Sequence, residues 1–208
     1  MLKEPNFYIA KKKTMNSALI PLDTYIQSLG LKHKTYADLS KNSSGSSLVS
    51  FTLKEAYCFD ELVNNLFVIC PHSVDALLLR NNLYFIEFKS VANVTNRKEK
   101  ENIKQNLELK LTDSALIFYK ELCEPLSLNL TSFKRIAIIV VDYRIFPVSA
   151  MSGVLTSLSG GASAANITVS NFRYYASPDK NGEYVFYHDV QIWNNIKIIY
   201  NTIMHNKG

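Results

Sequence analysis

Asp75, Glu87 and Lys89 are the residues of this 208-residue chain whose types and spacing could do chemistry. They bracket two apolar runs in "VDALLLRNNLYFIEFKS", residues 74 to 90. Alternate side chains of a strand share a face, so Leu83, Phe85, Glu87 and Lys89 fall on one side and Tyr84, Ile86 and Phe88 on the other. The turn decides whether Asp75 meets Glu87. A two-residue Asn81-Asn82 turn pairs Asp75 with Phe88 and points it away. A three-residue loop of Arg80, Asn81 and Asn82 pairs Leu79 with Leu83 and sets Asp75 opposite Glu87. Such a loop calls for a left-handed residue at its third position, which asparagine tolerates better than most. Carboxylates on directly opposed positions, with Cβ atoms about 4.5–5.5 Å apart, repel unless a cation lies between them. One reading is therefore a hard-metal site of Asp75, Glu87, waters and the Phe88 carbonyl, suited to Mg²⁺ with Mn²⁺ as a substitute. Lys89 beside it could orient or deprotonate a water, or stabilise charge on a phosphate. The plainer reading is that Asp75 opens a strand while Glu87 and Lys89 form an ion pair.

The flanking pattern supplies elements to hold these residues. Leu53, Ala56, Tyr57, Phe59, Leu62, Val63, Leu66 and Phe67 recur at helical spacing, and "FVIC" (67–70) reads as a short strand ended by Pro71. Within that helix Glu55 falls in the apolar arc and Glu61 outside it, so Glu55 is the candidate for a further inward acid. Residues 96 to 124 form a long helix, opened by Asn96 and Glu99 in a capping arrangement and closed by Pro125. Its stripe is Ile103, Leu107, Leu111, Ala115, Phe118 and Leu122. "RIAIIVVDY" (135–143) is apolar on both faces, as a central strand is, and a strand, long helix and strand make a parallel crossover unit. Lys98, Lys100 and Lys104 open the long helix beyond Lys89 and could contact phosphates; a solvated helix start is the equal alternative. The triplet Glu108-Leu109-Lys110 repeats the Glu-x-Lys pattern in mid-helix and is assigned no role.

The remainder reads more coarsely. Residues 1 to 50 form a helical lead-in with a helix over "PLDTYIQSL" stopped by Gly30, and 39–47 form a polar connector. After a Ser/Gly/Ala-rich loop, "FRYYA" and "EYVFYHD" read as strands joined by the turn "SPDKNG", and "VQIWNNIKIIYNTIM" reads as a closing amphipathic helix.

Asp75 followed by Glu87-Phe88-Lys89, on an α-β-β-β-α-β order, resembles the PD-(D/E)XK nuclease superfamily. The resemblance covers roughly residues 50 to 145, with Val74 standing where the family name has proline. It implies an α/β fold, a central mixed β-sheet flanked by helices with a restriction-endonuclease-like core. It also implies Mg²⁺-dependent cleavage of phosphodiester bonds, Asp75 and Glu87 as metal ligands, and Lys89 in activating water. A Glu from the first helix often assists in that family, a role for which Glu55 is the candidate, with Glu61 or no helix acid as the alternatives. Gln105 matches the glutamine of the exonuclease-type branch, while Leu109 occupies the position of its tyrosine. The implied alternative is a catalytically inactive nucleic-acid-binding or regulatory protein on the same fold.

Bulk properties agree with one folded domain spanning 1–208: 1–50 as lead-in, 51–145 as core, 146–208 completing it. Apolar residues are 47% and charged residues 20% of the chain, a globular balance. The formal net charge of +5 favours polyanions, DNA ahead of RNA. No apolar run reaches the roughly 20 residues of a membrane span, and no secretory leader is evident, so a cytoplasmic protein without a membrane partner is expected, with a homodimer left open. Cys58, Cys70 and Cys123 lack CxxC spacing and read as reduced core cysteines, and no zinc site is built by Cys70-Pro71-His72.

Overall fold

A computed structural model describes residues 15–42, 44–49, 55–90, 97–142 and 174–194. Within them the chain is an α/β protein with one six-stranded mixed sheet, its strands adjacent in chain order. These are β1 (His33–Thr35), β2 (Glu55–Cys58), β3 (Ala76–Leu79), β4 (Leu83–Lys89), β5 (Arg135–Val141) and β6 (Asp189–Asn194). The first four pair antiparallel; β4 with β5 and β5 with β6 are parallel. The helices are α1 (Ile20–Ser28), α2 (Tyr36–Leu39), α3 (Phe59–Leu66) and α4 (Arg97–Ile117), the last continuing as a wider turn over Phe118–Cys123.

The sheet is apolar on both sides, as expected from β5. Tyr57, Leu77, Leu83, Phe85, Ala137, Ile139 and Val190 belong to a core with α1, α3 and α4, through Leu22, Ile26, Leu62, Leu107, Leu111 and Phe118. The residues between them, Ala56, Ala76, Ile86, Phe88, Ile138 and Val140, pack on the other face with Tyr36, Leu48 and Val49. Glu87 shares parity with Leu83 and Phe85, so it is presented to the α4 side.

Several expectations need correction. The helix expected from Leu53 is a strand over Glu55–Cys58 followed at once by a helix from Phe59. Ala56 and Tyr57 bury on opposite faces, whereas Phe59, Leu62, Val63 and Leu66 keep helical spacing; two elements joined without a loop imitated one stripe. The core order is thus β-α-β-β-α-β. "FVIC" is not a strand: Val68 and Ile69 are exposed, because both sides of β2 and β3 are already taken by neighbouring strands. Residues 190–194 are the greater part of β6 and not a helix, since Val190 and Ile192 face one core while Trp193 packs against the other. Residues 195–204 of that expected helix, the Ser/Gly/Ala-rich loop and the Asn96 cap lie outside the described residues. Residues 174–176 form a helical turn in place of the first C-terminal strand, and the second is not a strand either. Residues 183–188 hold only an isolated bridge of Tyr184 to Pro178 across the "SPDKNG" turn, where Gly182 has φ 83°, and Asp189 opens β6. Among the described residues no helix is long and apolar enough to cross a membrane.

Candidate functional site

The hairpin register decides the site. Leu79 pairs with Leu83 and Ala76 with Ile86, the odd loop of Arg80, Asn81 and Asn82, and the next position places Asp75 opposite Glu87. The expected left-handed asparagine is absent: among the described residues Ser127 alone has positive φ without being glycine. The loop is held from outside instead. The Asn16 N–H donates to the Arg80 carbonyl at 3.0 Å and its side-chain amide to the Asn81 carbonyl at 3.2 Å. Asn82 Oδ1 accepts the Lys134 N–H at 3.2 Å, and the Leu83 N–H donates to the Lys134 carbonyl at 2.9 Å.

Beyond Ala76 the antiparallel ladder gives way to side-chain bonding. Asp75 Oδ2 accepts the Phe88 N–H at 2.6 Å. The Lys110 ammonium, from the middle of α4, donates to Glu87 Oε2 at 2.8 Å and to Asp75 Oδ1 at 3.4 Å. Glu87 is 2% exposed, and the Asp75 and Lys110 side chains are 19% and 21% exposed. Two carboxyl groups thus share one ammonium away from bulk water, so charging both is costly. Burial, then the Asp75 charge, push the Glu87 carboxyl up to about 8 against the pull of Lys110 and Lys89. Asp75 is also raised, by burial and by Asp60, against Lys110 and the Phe88 N–H. Burial opposes the charge on Lys110, but Glu87 and Asp75 outweigh it and raise its pKa. Ammonium and carboxylates thus hold one another in a medium where none is well solvated.

Two participants were missed in the sequence. Lys110, part of a mid-helix triplet without an assigned role, sits between Leu107 and Leu111 at the edge of the buried stripe. Four residues on, the fully buried Ser114 accepts the Val74 N–H at 2.9 Å. A lysine and serine one turn apart inside an apolar stripe were the available signal. Asp60, in the first turn of α3, is hydrogen-bonded by Ser73 and is close enough to raise Asp75 and Lys110.

Glu55 is displaced from its expected place. It lies on β2, exposed and paired with Thr35 of β1, toward the Leu79 end of the sheet. Extending the β2–β3 register sets Glu55 opposite Leu79 and Phe59 opposite Asp75, about 13 Å of strand apart. Glu61 is engaged by Lys34. Lys89 stays on the Glu87 side of β4, half-buried. Phe88 sends its side chain to the opposite core, against Tyr36 with ring centroids 5.8 Å apart. Lys98 and Gln105 are exposed, and Lys104 lies 3.9 Å from Glu101 and 3.8 Å from Glu108; the Lys100 side chain lies outside the described residues. Cys70 is exposed, Cys58 half-buried and Cys123 buried, so only the last is a core cysteine.

Among the described residues no three His, Cys, Asp or Glu side chains converge as a ready-made metal cage. Asp75 and Glu87 still fit a hard divalent ion: both are oxygen donors, and both face the one point that Lys110 reaches. Mg²⁺ commonly takes one or two carboxylates and completes its shell with water and phosphate. The fold and cluster together define an α/β protein with a buried acid–acid–lysine centre at the end of a β-hairpin. No family model matches the chain, and no curated protein or solved structure matches it at a significant level.

Proposed function

We propose that this chain is a Mg²⁺- or Mn²⁺-dependent phosphodiester hydrolase of PD-(D/E)XK type, acting on DNA in preference to RNA. The observation that carries the reading is the register-opposed pair Asp75 and Glu87, buried and converging on one point occupied by a single ammonium. These two carboxylates would hold the metal, with the Phe88 carbonyl as a further ligand. When bound, such an ion makes a coordinated water more acidic and stabilises negative charge on a phosphate. Lys89 lies on the same face two residues further, at the C-terminal end of β4, where its ammonium can hold a phosphate oxygen or the attacking water. Lys98 and Lys104 add positive charge along α4, Lys104 softened by Glu101 and Glu108. The apolar floor of Leu83 and Phe85 excludes water from beneath the pair and strengthens each charge above it.

A second reading has its own observation. Lys110 already bridges both carboxylates, as in a charge-compensated core of a nucleic-acid-binding protein without activity. One experiment separates the two. Plasmid, linear single-stranded DNA and RNA are incubated with Mg²⁺ or Mn²⁺ and the wild type, Asp75→Asn or Lys89→Ala. Metal-dependent cleavage lost in Asp75→Asn and reduced in Lys89→Ala supports the hydrolase. Binding without cleavage favours the second reading, and cleavage surviving both substitutions sinks the mechanism.

A further inference from the structure

We propose that Lys110 is an internal counter-ion that competes with the divalent cation for the Asp75–Glu87 pair, so that metal binding requires its ammonium to be displaced. This rests on the metal-site reading above and adds to it a residue that sets the site's metal affinity.

The geometry leaves little room for another outcome. The ammonium lies 2.8 Å from Glu87 and 3.4 Å from Asp75, the place a cation shared by the two carboxylates would take. An ammonium has three donors and no lone pair, so it cannot join the coordination shell. Beside a divalent ion in a poorly solvated pocket it would meet strong like-charge repulsion. Occupancy by one therefore excludes the other.

The lysine can leave without disturbing the helix. α4 is fixed on either side of Lys110: Leu107 and Leu111 are buried in the core, and Ser114 holds the Val74 N–H. The ammonium rides on four methylenes and its side chain is about one-fifth exposed, so rotation of that stem carries it to solvent. The retained cluster needs a cation in the meantime, because an unpaired buried carboxylate is strongly unfavourable. Lys110 supplies that charge when metal is absent.

Mn²⁺ binding to the full chain, followed by titration calorimetry and by the rise in melting temperature, tests this without reference to cleavage. Lys110→Met should bind Mn²⁺ about 10- to 100-fold more tightly than the wild type, the worth of one charge-assisted hydrogen bond no longer broken. It should also gain more thermal stability from the ion. If the variant does not fold without metal, Lys110→Gln takes its place under the same criterion. Equal or weaker binding by the variant, with the wild type binding Mn²⁺, overturns the competition and leaves the metal site standing. Absence of binding to both overturns the competition and the metal reading together. Glu87→Gln binding Mn²⁺ as tightly as the wild type places the ion elsewhere and overturns both as well.

Discussion

Asp75 accepts the backbone N–H of Phe88 at 2.6 Å, so the same carboxylate that faces Glu87 also closes the β3–β4 ladder. Asp75→Ala leaves that N–H without its partner, and stability should fall by about 1–3 kcal/mol. Asp75→Asn keeps an oxygen acceptor while shedding charge, and should fall by clearly less. Urea unfolding of the two variants checks the order; equal losses would mean that the charge and not the acceptor is what the fold uses.

Stability should decline as the solution is made more alkaline through neutrality. Glu87 titrates near 4.5 when unfolded and is pushed up to about 8 by burial and by Asp75. Between those values the folded chain binds a proton that the unfolded chain has released. The stabilisation is therefore fully present below about pH 4.5 and is lost as pH rises through about 8, at a slope of order 1 kcal/mol per pH unit. Asp75 is raised too and acts with the same sign. Denaturant titrations at several pH values should show the decline in the wild type and a flatter profile in Glu87→Gln. An identical profile in both would assign the dependence to other groups.

Asn82 acts through its side chain and not through a left-handed backbone. Asn82→Gly, which would help a loop with positive φ, should instead destabilise by about 1 kcal/mol, as should Asn82→Ala, because each loses the bond to the Lys134 N–H. Thermal melts of the two variants are sufficient; a more stable glycine variant would contradict a side-chain role.

The three thiols should react with an aromatic disulfide reagent in a fixed order. Cys70 is exposed and reacts first. Cys58 is half-buried, and burial raises its thiol pKa, so it follows slowly. Cys123 is 4% exposed, faces the Leu128 carbonyl at 3.6 Å and should react only on unfolding. Peptide mapping at timed intervals gives the order directly.

Strand parity carried the sequence reading furthest, because a period of two is strict: once the loop is odd, Asp75 and Glu87 must share a face. The stripe of α4 and the doubly apolar β5 were legible for the same reason, being long and periodic. Glu55 was misplaced where two short elements abut, since Ala56, Tyr57 and Phe59 satisfy either period and only pairing with β1 and β3 settles them. Lys110 escaped notice because a lysine at the margin of a helical stripe is ordinarily solvated. Its partners are 35 and 23 residues away in the chain, a proximity that no local pattern encodes. The restriction-endonuclease-like core remains a proposal that rests on the resemblance; the mixed six-stranded sheet is what the chain forms.

Asn16 spans what would otherwise be separate pieces, binding the Arg80 and Asn81 carbonyls of the hairpin loop and the Ser132 carbonyl before β5. From the other end of the chain, the buried Tyr187 hydroxyl donates to the Leu111 carbonyl, one residue past Lys110. The acid–acid–lysine centre is therefore not a portable cassette. Residues 51–145 excised alone would carry every one of its charged groups and lack both clasps that set their spacing, so grafting the stretch onto another scaffold would transfer the composition of the centre without its alignment.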